Sequence, residues 1–185
     1  MDLMPFDEIN KLEAALPQYF NEEGRIKSKE AYEDIIDEML DIFLLSYANG
    51  VAATNLSLSS DYEPTLEEVM TTVDAKVVDK TWRERMQEHF DNGGTVDDVI
   101  RIIETESHRD ANAGAFATAK ASGATTKIWR TMLDDRVRDS HAWLEGVSAP
   151  IDGEFYNYAG QSTKYPGQWG IAEEDINCRC WLTYQ

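Results

Sequence analysis

Between Lys29 and Val51 the apolar residues Tyr32, Ile35, Ile36, Met39, Leu40, Phe43, Leu44, Tyr47 and Val51 recur at intervals of three and four, with acids between the earlier ones. That period predicts an amphipathic helix with one face on a core. Asn49-Gly50 is expected near its end. "NLSLSSDYEPT" at 55–65 reads as a Ser-rich linker ending in Pro64. Thr65 with Glu68 then forms a capping-box pattern, opening a helix expected to run through "VMTTVDAKVVDKTWRERMQEHF" and stop at "DNGG". Thr95 with Asp98 resembles another N-cap, and Val96, Val99, Ile100 and Ile103 carry the helical period on towards Gly123.

After Gly123 the pattern changes. "TTKIWRTML" places Ile128 and Trp129 in a β-prone setting. Asp134-Asp135 is expected to cap a short helix over 135–145, closed by Gly146. From Pro150 onward "IDGEFYNYAGQSTKYPGQWG" is rich in Gly, Pro and aromatics, a composition for short strands and turns. The predicted fold class is α+β. An acidic helical region over 1–124, with a linker near 54–65, precedes a small mixed α/β C-terminal domain over 125–185.

Charge narrows the function. The net charge is −18, and residues 1–125 hold 26 acids against 11 bases while residues 126–185 hold 9 against 6. The helical part should repel phosphate, and no basic stripe of the kind that binds nucleic acid is present. Direct nucleic-acid binding is therefore not expected. The sequence has no apolar run near the roughly 20 residues a membrane helix needs. The start "MDLMPFDEIN" is acidic where an export signal would be basic and then apolar, so a protein made without a signal is expected.

Two cysteines, Cys178 and Cys180, sit in "INCRCWLTY". A Cys-X-Cys pair closes poorly on itself as a disulfide. If the tail is extended, alternation puts Ile176, Cys178, Cys180, Leu182 and Tyr184 on one face, so both thiols point the same way. They can be small buried apolar residues. They can also be ligands of zinc, which needs thiolate or imidazole partners in a tetrahedral set. Of the three histidines, His89 and His108 read as surface residues of helices. His141, on the short helix, can face the tail and completes a candidate set of His141, Cys178 and Cys180. A fourth ligand from Asp134, Asp135, Asp139 or water is open. The same residues permit a nucleophile reading, with His141 as base to a cysteine thiolate.

One ordered series of residues runs through the second half: Thr105-Glu106 and Asn112; then Trp129, Asp135, Arg136, Arg138, His141, Leu144 and Gly146; then Phe155, "YPG" at 165–167 and "INCRC". Over about residues 100–185 this series resembles the phage Mu F-like minor head proteins, also called phage head morphogenesis proteins. The resemblance implies a virion component of a tailed double-stranded DNA phage or prophage. Its place would be in the head near the portal, with a part in head assembly, DNA packaging or delivery, and its partners would be the portal and other head proteins. No catalytic activity is generally attached to the domain. Some larger relatives carry a toxin domain after it, and only five residues follow Cys180 in this chain. The matched residues read as scaffold: Arg136 and Arg138 suited to holding carboxylates, Asp135 to capping, Trp129 with Phe155 to forming a small core. The alternatives are an acidic DNA mimic that inhibits a host protein and a metal-dependent or cysteine enzyme.

Overall fold

A computed structural model of the chain describes residues 4–185, so the first three residues of the acidic start lie outside it. Helix α1 (Phe6–Ala15) leads through a 3-10 turn at Leu16–Tyr19 to α2 (Lys29–Leu58), which opens on Ser28, whose Oγ accepts the Ala31 N–H at 3.1 Å. Helix α2 does not end at Asn49-Gly50. It runs on to Leu58 and closes at Ser59 in the left-handed conformation. Gly50 is there for packing: a Cβ on it would lie 2.0 Å from the Ala111 carbonyl oxygen in α5 (Val96–Ala121). Reciprocally, a Cβ on Gly114 of α5 would lie 2.2 Å from the Tyr47 carbonyl oxygen. The two longest helices thus cross backbone against backbone, and the roughly 1 kcal/mol that glycine costs in a helix interior is offset by that contact.

The linker is shorter than the sequence suggested, because residues 55–58 form the last turn of α2. The remainder, up to Tyr62, is pinned to that turn. Asn55 Oδ1 accepts from Tyr62 N at 3.1 Å and Ser60 Oγ at 2.7 Å, while its Nδ2 donates to Tyr62 O at 2.8 Å. The capping box at Thr65 and Glu68 opens α3 (Leu66–Val73) as expected, but the long helix predicted there is two. Asp74 Oδ1 accepts from Trp82 Nε1 and Arg83 Nε, both at 3.1 Å. A tight Val77–Lys80 bridge then turns the chain. A second capping box, Thr81 with Glu84, starts α4 (Trp82–Asn92), and Gly93 stops it in the left-handed conformation. Thr95 and Asp98 box the start of α5. A helical core forms from Ile35, Met39, Phe43, Trp82, Met86 and Ile103, with Trp82 edge-on to Phe43 at 5.0 Å.

Strand β1 (Thr126–Arg130) follows α5, and the short helix after it covers only Asp139–Ala142 (α6). Asp135 does not cap it and is exposed. Instead Asp134 Oδ1 accepts the Arg136 N–H at 3.1 Å, a turn that uses up the residues expected to be helical. Strand β1 is the centre of a three-stranded antiparallel sheet between β2 (Ser148–Pro150) and β5 (Trp181–Tyr184), with Trp129 opposite Leu182. Strands β3 (Phe155–Tyr156) and β4 (Ser162–Thr163) form a separate hairpin, and α7 (Ala172–Asp175) precedes the tail. A second core gathers Trp129, Leu144, Phe155, Trp169 and Leu182 onto Tyr47, Val51 and Ala113 of the helix crossing. The architecture is α+β, a helical N-terminal region followed by a small antiparallel β region with short helices.

The α5 face under this small region is polar and buried. Arg109 places Nε 2.9 Å from Glu106 Oε2 and Nη2 2.8 Å from Asp110 Oδ1, and donates to the carbonyls of Val73 and Ala75 at 2.8 and 3.2 Å. Glu106 also pairs with Arg85. Burial pushes the Asp110 carboxyl well above its ordinary range, although the Arg109 guanidinium opposes the shift. Gly167 of "YPG" rests on this helix, where a Cβ would come 3.0 Å from Arg109 Cα.

Replacing Gly50 or Gly114 by alanine should cost about 3 kcal/mol each by forcing the crossing apart. Ala52→Ser, on the exposed side of α2, should cost about 0.5 kcal/mol or less. Urea midpoints of the three variants measure the difference.

Candidate metal centre

The tail reaches His141, but not as a long strand. Regular β5 begins only at Trp181; before it the Cys178 N–H closes a turn on the Asp175 carbonyl at 3.2 Å, and Asn177 takes a left-handed φ of 56°. Alternation nevertheless holds from Cys178 to Leu182, with Cys178, Cys180 and Leu182 buried. Both thiols face His141 Nδ1, which lies 3.6 Å from Cys178 Sγ and 3.5 Å from Cys180 Sγ. The three ligand atoms lie within 4.8 Å of one another, and all three residues are buried. In a tetrahedron with Zn–S near 2.3 Å and Zn–N near 2.05 Å, the N···S edge is about 3.5 Å. The observed separations are of that size, and a neutral thiol–imidazole contact has similar dimensions.

The imidazole is held from its other side. His141 Nε2 lies 3.0 Å from Glu174 Oε2, at an oblique angle that makes the contact an electrostatic clamp more than an aligned hydrogen bond. A carboxylate only accepts, so the ring proton belongs on Nε2 and the Nδ1 lone pair is left facing the sulfurs. Ser140 Oγ donates to Glu174 Oε2 at 2.8 Å and Asn157 Nδ2 to Oε1 at 3.0 Å. Arg138 holds backbone instead of the carboxylates expected from sequence. It donates to the Glu174 carbonyl at 2.9 Å and to that of Ile176, fastening α6 to α7. Arg136 is exposed, 4.0 Å from Asp134. Trp169 stacks on the imidazole at 5.6 Å and 16°, and Trp129 meets it edge-on at 5.6 Å and Phe155 at 5.1 Å. Asp175 fixes the loop carrying Trp169 by accepting the N–H groups of Trp169, Gly170 and Ile171.

Electrostatics set what the pair of sulfurs can do. Burial pushes the Cys178 thiol well above its ordinary range. Its S–H in turn holds Cys180 below that range, with Trp129 and Arg138 adding to the effect. The two sulfurs are therefore inequivalent, Cys180 giving up its proton more readily than Cys178. A divalent cation would take both as thiolates. None of the aspartates considered as a fourth ligand joins the cluster: Asp134 pairs with Arg179, and Asp135 and Asp139 are exposed outside it. Cys178 and Cys180 form part of the wall of a cleft of about 1010 Å³, which also touches α1 and α5.

Sequence reasoning placed His89 and His108 on the surface. His89, at the end of α4, is partly exposed and outside the cluster. His108 is half-buried in the wall of that cleft and not a free surface residue: its Nε2 lies 2.8 Å from the Cys180 carbonyl oxygen and its Nδ1 is shut off from water. Asn112, one turn on, donates to the same carbonyl at 3.2 Å. Helix α5 thus holds the backbone of the residue whose thiol faces His141. Glu174 also escaped the sequence reading. Its only signal was an acidic residue four positions before Cys178, and acids are frequent throughout this chain.

Residues 59–183 match the family described as Phage Mu protein F like protein. The chain belongs to that family. Both segments of the cluster, Trp129 to Gly146 and Asn177 to Cys180, lie inside the match. Over 83 residues the Mu F-like chain is 37% identical to the minor head protein GP7 of Bacillus phage SPP1, a stretch covering 43% of this chain and 27% of that protein. Over 86 residues it is 35% identical to the NAD(+)–arginine ADP-ribosyltransferase EFV of Enterococcus faecalis, covering 44% of this chain and 18% of the relative. The shared stretch is thus about a quarter and a fifth of the length of those relatives. No solved structure matches.

Burial lowers the His108 pKa to about 4, so the neutral ring is the folded form. The unfolded chain takes up that proton near pH 6.5 and the folded chain only near 4. Stability is therefore complete above about pH 6.5 and should fall by up to about 3 kcal/mol as pH drops towards 4. His108→Gln, which keeps a donor for the Cys180 carbonyl, should flatten that slope in urea titrations across the window.

Proposed function

We propose that this Mu F-like chain is a structural component of a tailed-phage head that attaches at the portal and takes part in head assembly, DNA packaging or delivery. Its small C-terminal unit, over 125–185, is closed by zinc on His141, Cys178 and Cys180. The family membership and the likeness to a minor head protein support the first part. The convergence of one imidazole nitrogen and two thiols supports the second. Bound there, zinc would act as a cross-link and nothing more. His141 and Glu174 would orient the site and Trp169 and Trp129 would wall its inner side, leaving a fourth position open to water from the adjoining cleft. The acidic face of the helical half, including Asp34, Asp37, Glu38 and Asp41, offers a docking surface for basic patches on head proteins.

An enzyme reading is not favoured. The similarity to the ADP-ribosyltransferase covers 18% of that protein. Within the matched residues of this chain, Arg109, Arg138, Asn112 and Asp175 are engaged in holding backbone, and His141 is engaged by the two cysteine sulfurs and Glu174.

Purified protein should carry one zinc per chain by elemental analysis, and a strong chelator should lower its melting temperature. Glu174→Gln should weaken zinc binding about 10–100-fold while leaving the helical signal in circular dichroism unchanged. Zinc well below one per chain, with melting indifferent to the chelator, would remove the metal from this reading. Separately, Lys substitutions at Asp34, Asp37 and Asp41 should reduce co-purification with portal protein from the same phage. Unchanged capture would exclude the acidic face as the docking surface.

A further inference from the structure

The cleft of about 1010 Å³ beside Cys178 and Cys180 is larger than anything the metal centre calls for. Helices α1 and α5 form one wall, and the turn over 132–138 with the cysteine segment forms the other. Both walls carry apolar side chains left in water, Phe6 being 47% exposed and Met132 52%. The two walls differ in charge. Arg136, Arg138 and Arg179, half of the six bases in residues 126–185, lie on the cysteine side. Arg138 donates to two backbone carbonyls, and Arg136 and Arg179 have the one carboxylate of Asp134 between them, which Arg136 approaches only to 4.0 Å. That wall keeps a surplus of positive charge. On the helix side stand Glu13 and Glu104, where burial and the charge of Glu104 hold the Glu13 carboxyl above its ordinary range. Neither glutamate is in an ion pair among the described residues.

We propose that the cleft seats a peptide segment of a partner protein that carries one acidic and one basic side chain with apolar residues between them. The acid meets Arg136, the base meets Glu13 and Glu104, and the apolar residues cover Phe6, Met132 and Trp181. Charge complementarity selects this occupant. A nucleic-acid strand would bring phosphates against two unpaired glutamates, and a small anion would leave Phe6 and Met132 wet. A second copy of the chain would approach against the repulsion of two charges of −18. The lining also has the residue types that protein interfaces favour, namely Met, Phe, Trp and Arg, with methionine able to adapt to its occupant. Its volume lies at the upper end of what small-molecule pockets reach.

Opposite charges on the two walls fix the direction in which the segment lies. Because both pairs form where water and ions reach them, binding weakens with added salt. Neither charge set includes a residue of the metal cluster or of the acidic α2 face, so the peptide site stands or falls separately from those.

A displayed library of random twelve-residue peptides, selected on the full chain, tests the site. The library is first depleted on the Arg136→Glu, Glu104→Lys double variant, which keeps the net charge and so removes peptides that merely bind the acidic helices. Both side chains are exposed, and the circular dichroism spectrum of the variant should match that of the parent. The expected survivors carry an acid and a base flanking apolar residues, and each single variant weakens them about tenfold. Exchanging the acid and the base within a selected peptide should abolish binding to the parent chain and create it on the double variant. No survivors after depletion, survivors with charge of one sign only, or binding indifferent to the exchange would each overturn the proposal, purely acidic survivors marking a simple anion site instead.

Discussion

Everything in this fold is arranged around one steric constraint, the backbone contact where α2 crosses α5. Gly50 lies against the Ala111 carbonyl and Gly114 against that of Tyr47, at distances no Cβ could tolerate. Close crossing brings the two helices near enough for one surface to be shared. On one side of it the helical core packs around Trp82 and Phe43; on the other, Tyr47, Val51 and Ala113 become the floor of the second core. The small region has short strands and cannot bury enough apolar area alone. It borrows that floor.

The floor is not wholly apolar, and this determines how the small region sits. Helix α5 presents Glu106, Arg109, Asp110 and Asn112 inward, and every one has a partner. Arg109 is shared between two carboxylates and two backbone carbonyls, so its charge is neutralised where water cannot reach. Gly167 rests over it, and His108 with Asn112 takes the Cys180 carbonyl. Apolar packing alone would let the small region slide along a helix. Directional bonds to a row of fixed polar groups give it one register.

The sequence showed element type well and element ends poorly. Apolar period 3.6 located α2 and α5, and capping boxes at Thr65 and Thr95 marked two helix starts because that chemistry is local. Gly50 misled because a glycine that ends a helix and one that admits a neighbouring backbone look the same in a single chain. The break between α3 and α4 depends on Asp74 reaching Trp82, a contact made in space. The cysteine pair and His141 were legible through scarcity, there being two cysteines and three histidines in all. His108 and Glu174 were not, since their roles rest on a carbonyl and a ring brought to them by the fold.

The order of elements also has a consequence in time. Strand β1 at Thr126–Arg130 finds its partner β5 only at Trp181–Tyr184, whereas both long helices are complete by Ala121. As the chain leaves the ribosome, the helical core can form while Trp129, His141 and the face carrying Tyr47 and Val51 wait for residues about fifty positions beyond β1, a late closure of the kind that slows folding. In that interval the nascent chain exposes an aromatic-rich surface with no cover, until Cys178, Cys180 and then β5 emerge. The cysteine segment therefore acts as the latch that ends the vulnerable phase of synthesis.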